Sequence, residues 1–491
     1  MDPLKICFVT SELAPFAKTG GLADVSAALP RALHDAGHDV HVFLPLYARV
    51  EENGVTSEPV EGLQNLTLQL GTHRVVYSVR AAKLPGTELA IHLVDCPGLY
   101  RRPGIYTQDA DEHLRFLLLT RAAIESCQRL QWAPDIFHFN DWQTALGPLY
   151  LKSVYAWDRL FRGTRSVLTI HNLGYQGVFG SAIAADLGLG DAAHLLHQDD
   201  LRAGRIGFLK HGIVYADWIT TVSPTYAREI QTEQLGMGLH DVLRRRTDSL
   251  TGILNGIDTR EWNPRTDVLI PHRYSSKSLY RKEKDKQFLV EKLGLPYQKD
   301  VPVIGIVSRL TVQKGFELVA GAMPALLGSR SLQLTVLGTG ESKYEEFFAA
   351  LQRQFPSQVC FYRGYSNELA HLIEAGADLF AMPSLYEPCG LNQMYSLAYG
   401  TIPVVRKTGG LADTVEPYDP TSESGTGFVF EHFTADGLRW ALEVALDIYE
   451  DKKAWRKLVQ NAMAQDFSWT RQAEAYEELY RRLAVTEQAQ A

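Results

Sequence analysis

Cysteine is scarce in this chain. Five occur in 491 residues, at Cys7, Cys96, Cys127, Cys360 and Cys389. They are odd in number, scattered and without a CxxC pair, so neither a disulfide framework nor a cysteine metal site is expected; a reducing compartment fits. No apolar run approaches the ~20 residues of a membrane span. A basic excess is also missing: 49 Lys and Arg face 57 Asp and Glu, a formal charge of -8. That argues against a sequence-independent grip on nucleic acid, which needs a basic stripe. No GxxxxGK[ST] loop and no full GxGxxG fingerprint occurs, Gly338-Thr339-Gly340 being a fragment of one. An ATPase or a nicotinamide enzyme is disfavoured accordingly. Met1-Asp2-Pro3-Leu4-Lys5 runs straight into a strand-like stretch, so no secretory signal and a cytoplasmic location are expected.

What is present is the composition of a globular enzyme, 45% hydrophobic and 22% charged. The length exceeds the ~150–250 residues that one core serves, so two domains are expected. Short β-branched or aromatic runs alternate with longer amphipathic stretches. In the first half they are Ile6–Thr10, Val40–Leu44, Ile136–Phe139, Val167–Ile170 and Ile219–Val222; in the second, Val303–Val307, Leu332–Leu337, Val359–Tyr362, Leu379–Met382 and Ile402–Val405. Near-continuous apolar strands of this kind are buried on both faces by crossover helices. The expectation is α/β, with two doubly wound parallel sheets. Asn255-Gly256-Ile257-Asp258 and Trp262-Asn263-Pro264 mark the boundary. The reading is a first domain over 1–258, a second over 259–466, and a last segment over 467–491 whose tail from Glu487 frays. Lys277–Lys292, rich in Lys, Arg and Glu, reads as a solvated helix with i,i+4 pairs. One near-repeat stands out: Lys18-Thr19-Gly20-Gly21-Leu22-Ala23-Asp24-Val25 returns as Lys407-Thr408-Gly409-Gly410-Leu411-Ala412-Asp413-Thr414. Each copy should join a strand to a helix.

Ligands of open α/β sheets bind at the carboxyl ends of the strands, and the reactive residues fall there. Gly20-Gly21 lets backbone N–H groups approach an anion at a helix N-terminus, with Lys18 as a point charge; a tight turn is the plain alternative. Arg309 and Lys314 can clamp a departing diphosphate without metal, or be surface charges. His171 is a base, a sugar hydrogen-bonder or merely hydrogen-bonded, and has no HxH or HExxH partner to make a metal site. Asp141 is a carboxylate of the site or a cap for the helix begun by Trp142. Glu387 is a site carboxylate or a first-turn residue favoured by the helix dipole. Asp109-Ala110-Asp111 matches a metal-binding DxD element superficially, but capping of the helix His113–Ile124 reads better.

The ordered set of motifs is more specific than any member. Lys-Thr-Gly-Gly-Leu-Ala-Asp, Asn140-Asp141-Trp142, Thr169-Ile170-His171-Asn172-Leu173, Asn255-Gly256-Ile257-Asp258, Ser308-Arg309-Leu310 with Gln313-Lys314-Gly315, Glu387-Pro388-Cys389-Gly390-Leu391 and Phe467-Ser468-Trp469 occur in that order. Together they closely resemble the bacterial glycogen synthase and plant starch synthase family over nearly the full length. The resemblance implies a GT-B fold: two Rossmann-like domains, an interdomain cleft and a final helix crossing back to the first domain. It implies retaining transfer of α-glucose from ADP-glucose to the non-reducing end of an α-1,4-glucan such as glycogen, with no metal, no other cofactor, no nucleic acid and no membrane.

Carried over position by position, the resemblance makes Lys18, Gly20 and Gly21 the diphosphate-side loop, and Arg309 and Lys314 the phosphate clamp. Glu387 holds the glucosyl hydroxyls, and Cys389, Gly390 and Leu391 line the same pocket. His171 faces the glucosyl 6-hydroxyl. Asp141 and Glu12 lie on the acceptor side, Asn255 in the cleft, and Tyr106 stacks an acceptor sugar; Tyr365 stacks the nucleobase. Asp24 and Asn172, within those motifs, complete the substrate-binding set. Two departures are visible: Asn392 where many members have Thr, and Phe139-Asn140 in place of a commoner small residue and His. Rivals are a UDP-glucose-using glucan synthase, another retaining GT-B enzyme such as a sucrose or maltose-phosphate synthase, a glucan phosphorylase, and a catalytically idle glucan-binding protein.

Overall fold

The computed structural model describes residues 2–485; the expected fraying from Glu487 onward lies outside them. Internal contacts divide the chain into two compact units. Unit 1 comprises the chain up to Val222, Ala227–Gly256 and the segment from Trp469 on; unit 2 comprises Ser223–Tyr226 and Ile257–Ser468. The division thus falls at Gly256, two residues before the boundary read from the sequence.

Unit 1 carries strands β1 (Lys5–Val9), β2 (Asp39–Pro45), β3 (Glu58–Pro59), β4 (Leu66–Leu70), β5 (His73–Lys83), β6 (Ala90–Asp95), β7 (Ile136–Asn140), β8 (Arg165–Ile170), a ribbon of β9 (Val178–Gly180) and β10 (Arg205–Gly207), β11 (Trp218–Thr221) and β12 (Leu250–Gly252). The main sheet runs β12-β11-β8-β7-β1-β2-β6-β5-β3, with β4 on β5. It is parallel from β12 to β6. β1 shows the signal: Ile6, Cys7, Phe8 and Val9 are all buried, as a strand covered on both faces reads as a continuous apolar run. The sheet is not wholly parallel, however. β3, β4 and β5 add an antiparallel edge, and β4 alternates buried Leu66, Leu68 and Leu70 with exposed Thr67 and Gln69. That is the period of a half-wetted sheet.

The last helix, Trp469–Val485, packs in unit 1 against the helix Gly21–Asp35. Tyr480 is buried there, its hydroxyl 2.5 Å from His138 Nδ1 on β7. His138 Nε2 bonds the Thr169 hydroxyl on β8, which bonds Thr220 on β11 at 2.6 Å. Burial pushes His138 down to about 3, so it stays neutral.

Unit 2 carries β13 (Val303–Leu310), β14 (Gln333–Gly340), β15 (Val359–Arg363), β16 (Leu379–Met382), β17 (Ile402–Arg406) and β18 (Phe428–Phe430). All pair in parallel, in the order β15-β14-β13-β16-β17-β18. One face is buried by Phe316–Ser329 and Ala435–Glu450. The other is buried by Tyr280–Lys292 and Asn367–Gly376. The helix Tyr280–Lys292 corrects a sequence reading. It is not merely solvated, because Lys282, Asp285 and Lys286 lie on its buried face beside Leu289 and Val290. Their partners come from elsewhere in unit 2: Lys286 pairs with Asp378, Asp285 with His272, and Lys282 bonds the Ala375 carbonyl and the Thr401 hydroxyl, none of which an i,i+4 count along the helix can reveal.

Candidate functional site

In unit 1 the loop after β1 folds back on itself through paired bonds between Leu13 and Ala17. This turns the buried Glu12 carboxylate toward the repeat motif. Its oxygens accept from the Thr19 N–H (2.6 Å), the Thr19 hydroxyl (2.6 Å), the Gly20 N–H (3.1 Å) and the Tyr106 hydroxyl (2.6 Å). Of the two N–H groups expected to face a phosphate, that of Gly20 is held by an internal carboxylate, and Lys18 lies 2.7 Å from Asp24. Gly20 itself needs no glycine for internal reasons. Its φ of -156° is ordinary extended backbone, and a Cβ built there meets nothing within 4 Å. Gly21 is the first residue of the helix Gly21–Asp35.

Asp141 follows β7 with φ of +53°, a left-handed conformation that costs a non-glycine residue energy and clusters at functional sites. It does not cap its own helix, as the plain reading had it. Oδ1 accepts instead from the backbone N–H groups of His171 (2.7 Å) and Asn172 (3.5 Å), on the loop after β8. Burial pushes Asp141 up to about 7 despite those bonds. The His171 ring is positioned by Asn140, which sequence reasoning missed as a working residue. Asn140 Nδ2 donates to the Val9 carbonyl (3.0 Å), so its Oδ1 takes the His171 Nε2–H (2.9 Å). Nδ1 of His171 is then an acceptor, and burial holds the ring neutral at about 3. The Asn172 side chain closes a local turn by accepting from Gly174 N–H at 2.9 Å. Asn255 is buried, with Oδ1 unpartnered among the described residues.

In unit 2, β13 extends through Leu310, so Arg309 stands on the strand rather than after it, exposed and opposite Thr339. Among the described residues its guanidinium has no ion pair. Lys314 ends a short turn (Val312–Lys314) fixed by Gly315 at φ +71°, where a Cβ would lie 2.0 Å from the Pro383 carbonyl. The turn brings Lys314 Nζ 2.6 Å from Glu387 Oε2, which also accepts from the Ser384 hydroxyl at 2.9 Å. Glu387 is 5% exposed and lies five residues ahead of the helix Asn392–Tyr399, so it is not a first-turn residue. The second copy of the repeat sits underneath it. Gly410 N–H donates to the Glu387 carbonyl (3.1 Å), and a Cβ on Gly409 or Gly410 would lie 1.9 or 2.0 Å from the carbonyls of Glu387 and Cys389. Those glycines hold the Glu387 loop in place, a positioning role legible in the sequence only as a repeated strand–turn–helix element.

Cys389 is buried, and Gly390 (φ +71°) and Leu391 lead into the helix Asn392–Tyr399. Asn392 ties that helix to the neighbouring strand by donating to the Val307 carbonyl at 3.0 Å. Tyr365, 77% exposed, follows Gly364 and presents an open ring face. The glycines at 338 and 340 are packing residues: a Cβ on either would lie 2.2 Å from a carbonyl of β13.

The DxD match is an ion-pair cluster. Arg102 binds Asp109 at 3.0 Å and Asp111 at 2.6 Å, and neither carboxylate caps the following helix, correcting that reading. Glu112 instead accepts from the Thr107 N–H and hydroxyl at 3.0 and 2.6 Å. Among the described residues no group of three His, Cys, Asp or Glu could hold a metal ion, and no helix is long and apolar enough to cross a membrane.

Known proteins match both units. Residues 5–245 match the starch synthase catalytic domain family, and residues 288–462 match glycosyl transferases group 1. A glycogen synthase of Koribacter versatilis is 44% identical over 482 residues, covering 97% of this chain and 98% of that one. One of Anaeromyxobacter sp. strain Fw109-5 is 46% identical over 488 residues, covering 98% and 100%. Among solved structures, the catalytic domain of starch synthase IV from Arabidopsis thaliana, bound to ADP and acarbose, superposes with a TM-score of 0.90 at 35% identity, covering 98% of this chain and 100% of that one.

Proposed function

The chain belongs to the glycogen and starch synthase family of GT-B glycosyltransferases, and from that premise we propose that it moves α-glucosyl from ADP-glucose to the non-reducing end of an α-1,4-glucan, with retention and without metal. The observation that carries this reading is the Lys314–Glu387 pair at 2.6 Å. Glu387 is buried, and of its two carboxylate oxygens Oε2 takes both Lys314 and Ser384. Oε1 is thereby left to accept a sugar hydroxyl, while Lys314 keeps N–H donors for a phosphate. Exposed Arg309 supplies a second cation for the diphosphate as it departs. In unit 1, neutral His171 offers Nδ1 to a sugar hydroxyl, and Asp141 holds the backbone of His171 and Asn172 in place.

Cations aimed at a leaving diphosphate stabilise charge that grows in the transition state, and each such contact is worth about 100–1,000-fold in rate. Among the described residues of unit 1 no side chain stands out as a covalent nucleophile, and we read the reaction as a front-side displacement in which the departing phosphate takes the acceptor proton. The similar starch synthase, bound to ADP and acarbose, supports an adenine donor and a glucan-like acceptor. The open ring of Tyr365 supports base stacking, which any nucleobase satisfies.

The test is kcat/KM for ADP-, UDP- and GDP-glucose with a glycogen primer, with and without excess chelator. ADP-glucose is expected to lead by at least about tenfold, which needs only ~1.4 kcal/mol, and chelation is expected to change nothing. A lead for UDP-glucose overturns the donor, a loss rescued by Mg²⁺ overturns the metal-free reading, and no extension with any donor overturns the reaction.

A further inference from the structure

Unit 2 holds a cavity of about 360 Å³ whose lining includes none of Arg309, Lys314, Tyr365 and Glu387. Asp378, immediately before β16, and Lys299 and Asp300, just before β13, line it. It therefore opens at the amino ends of the parallel strands, whereas Lys314 and Glu387 follow their carboxyl ends.

Its charge is unbalanced. Five cations reach it, Lys282, Lys286, Lys299, Lys452 and Arg456, against three carboxylates, Glu283, Asp300 and Asp378. Lys286 takes Asp378 at 2.8 Å, and Lys452 lies 3.9 Å from Asp300. Lys282 is buried, and its hydrogen bonds go to neutral oxygens: the carbonyls of Glu374 (3.4 Å) and Ala375 (2.8 Å) and the Thr401 hydroxyl (2.7 Å). Burial accordingly lowers it to about 8, and an anion alongside would raise it again. Glu283 is engaged by the Tyr297 hydroxyl at 2.9 Å. Lys299 and Arg456, both exposed, have no ion partner among the described residues.

The wall is partly aromatic. Tyr449 and Trp455 meet edge to face at 5.0 Å, and Lys452 Nζ lies 3.6 Å from the Tyr449 ring centroid. A volume of this size belongs to small-molecule pockets rather than to a bare ion.

We propose that this cavity binds a small phosphorylated metabolite, of about hexose-phosphate size, with its phosphate on Lys299, Arg456 and Lys452 and its body against Tyr449 and Trp455. Arg456 supplies a bidentate fork and the lysines supply point charges, the usual division of labour around phosphate. The site is independent of the transferase reading, because it shares no residue with the donor contacts.

The test is calorimetric titration of the full chain with a hexose phosphate and, separately, with inorganic phosphate. Wild type, the double variant Lys299→Gln/Arg456→Gln and, as a control for the donor site, Arg309→Ala are compared. Both exchanged cavity residues are exposed, so folding should be untouched, and an unchanged far-UV spectrum and melting temperature check that. The expected result is hexose-phosphate binding that weakens at least about tenfold in the double variant and stays unchanged in Arg309→Ala. Inorganic phosphate should bind wild type more weakly. Binding that survives the double variant, or is lost in Arg309→Ala, overturns the proposal. So does an absence of binding at millimolar concentration, and equal affinity for inorganic phosphate overturns the metabolite-sized occupant.

Discussion

Lys314 has a carboxylate partner at 2.6 Å and Arg309 has no ion pair among the described residues, so their removal should read differently. Arg309→Ala is expected to lower kcat about 100-fold or more while changing stability by under ~0.5 kcal/mol. Lys314→Ala should lower kcat similarly and also cost about 2 kcal/mol, because it strands a buried Glu387. Chemical denaturation alongside steady-state kinetics separates the two effects. Asp141 offers a pH test. Its carboxyl, raised from 3.8 to about 7 in the fold, holds a proton that the unfolded chain releases between those values. The folded state thus binds more protons, and stability falls as pH rises through that window, by at most on the order of 4 kcal/mol. Asp141→Asn keeps an acceptor for the His171 and Asn172 N–H groups and tolerates φ of +53°. Relative to wild type it should gain stability at pH 8 and none at pH 4, measured by denaturant midpoints. Both residues were legible in the sequence as chemistry at strand ends. Their partners were not, because Lys314 and Glu387 lie 73 positions apart and meet only when β13 and β16 pair.

The two copies of the Lys-Thr-Gly-Gly-Leu-Ala-Asp element are the clearest case of one local sequence serving two purposes. Both join a strand to a helix, as the sequence indicates, yet their glycines answer to different constraints. Gly20 faces open space, whereas Gly410 lies against the Cys389 carbonyl. Gly410→Ala should therefore destabilise unit 2 by more than ~2 kcal/mol through a clash that backbone must absorb. Gly20→Ala should fold with a loss below ~1 kcal/mol, as for a poorer N-cap, but bind donor less well. Thermal unfolding and donor KM of the two variants distinguish these outcomes, and equal destabilisation would remove the distinction. The antiparallel edge β3–β5 was not legible beforehand. Its alternation is short, and strand partners are set by the neighbouring sheet edge rather than by the strand itself.

At the scale of the whole chain, the segment from Trp469 on belongs to unit 1 although unit 2 precedes it in sequence. Buried Tyr476 and Tyr480 and the His138–Thr169–Thr220 chain depend on it. A chain ending at Ser468 is expected to lose unit 1's calorimetric transition and keep unit 2's; two unaltered transitions would contradict this. By itself the sequence determined the α/β class, the number of units and ten of the thirteen parallel strands (all but β6, β12 and β18), because burial on both faces writes a local apolar run, and it placed the reactive residue types at strand ends. Only the tertiary structure decided which of those residues touch: that Glu12 fills the loop of Thr19 and Gly20, that Asp141 holds its neighbour's backbone rather than its own helix, that Asn140 sets the tautomer of His171, and that Lys282 and Lys286 are buried. All but the first are contacts between segments distant in the chain, and the first, seven and eight positions apart, depends on the fold-back at Leu13 and Ala17; packing and hydrogen-bond satisfaction fix them, and local spacing carries no record of either.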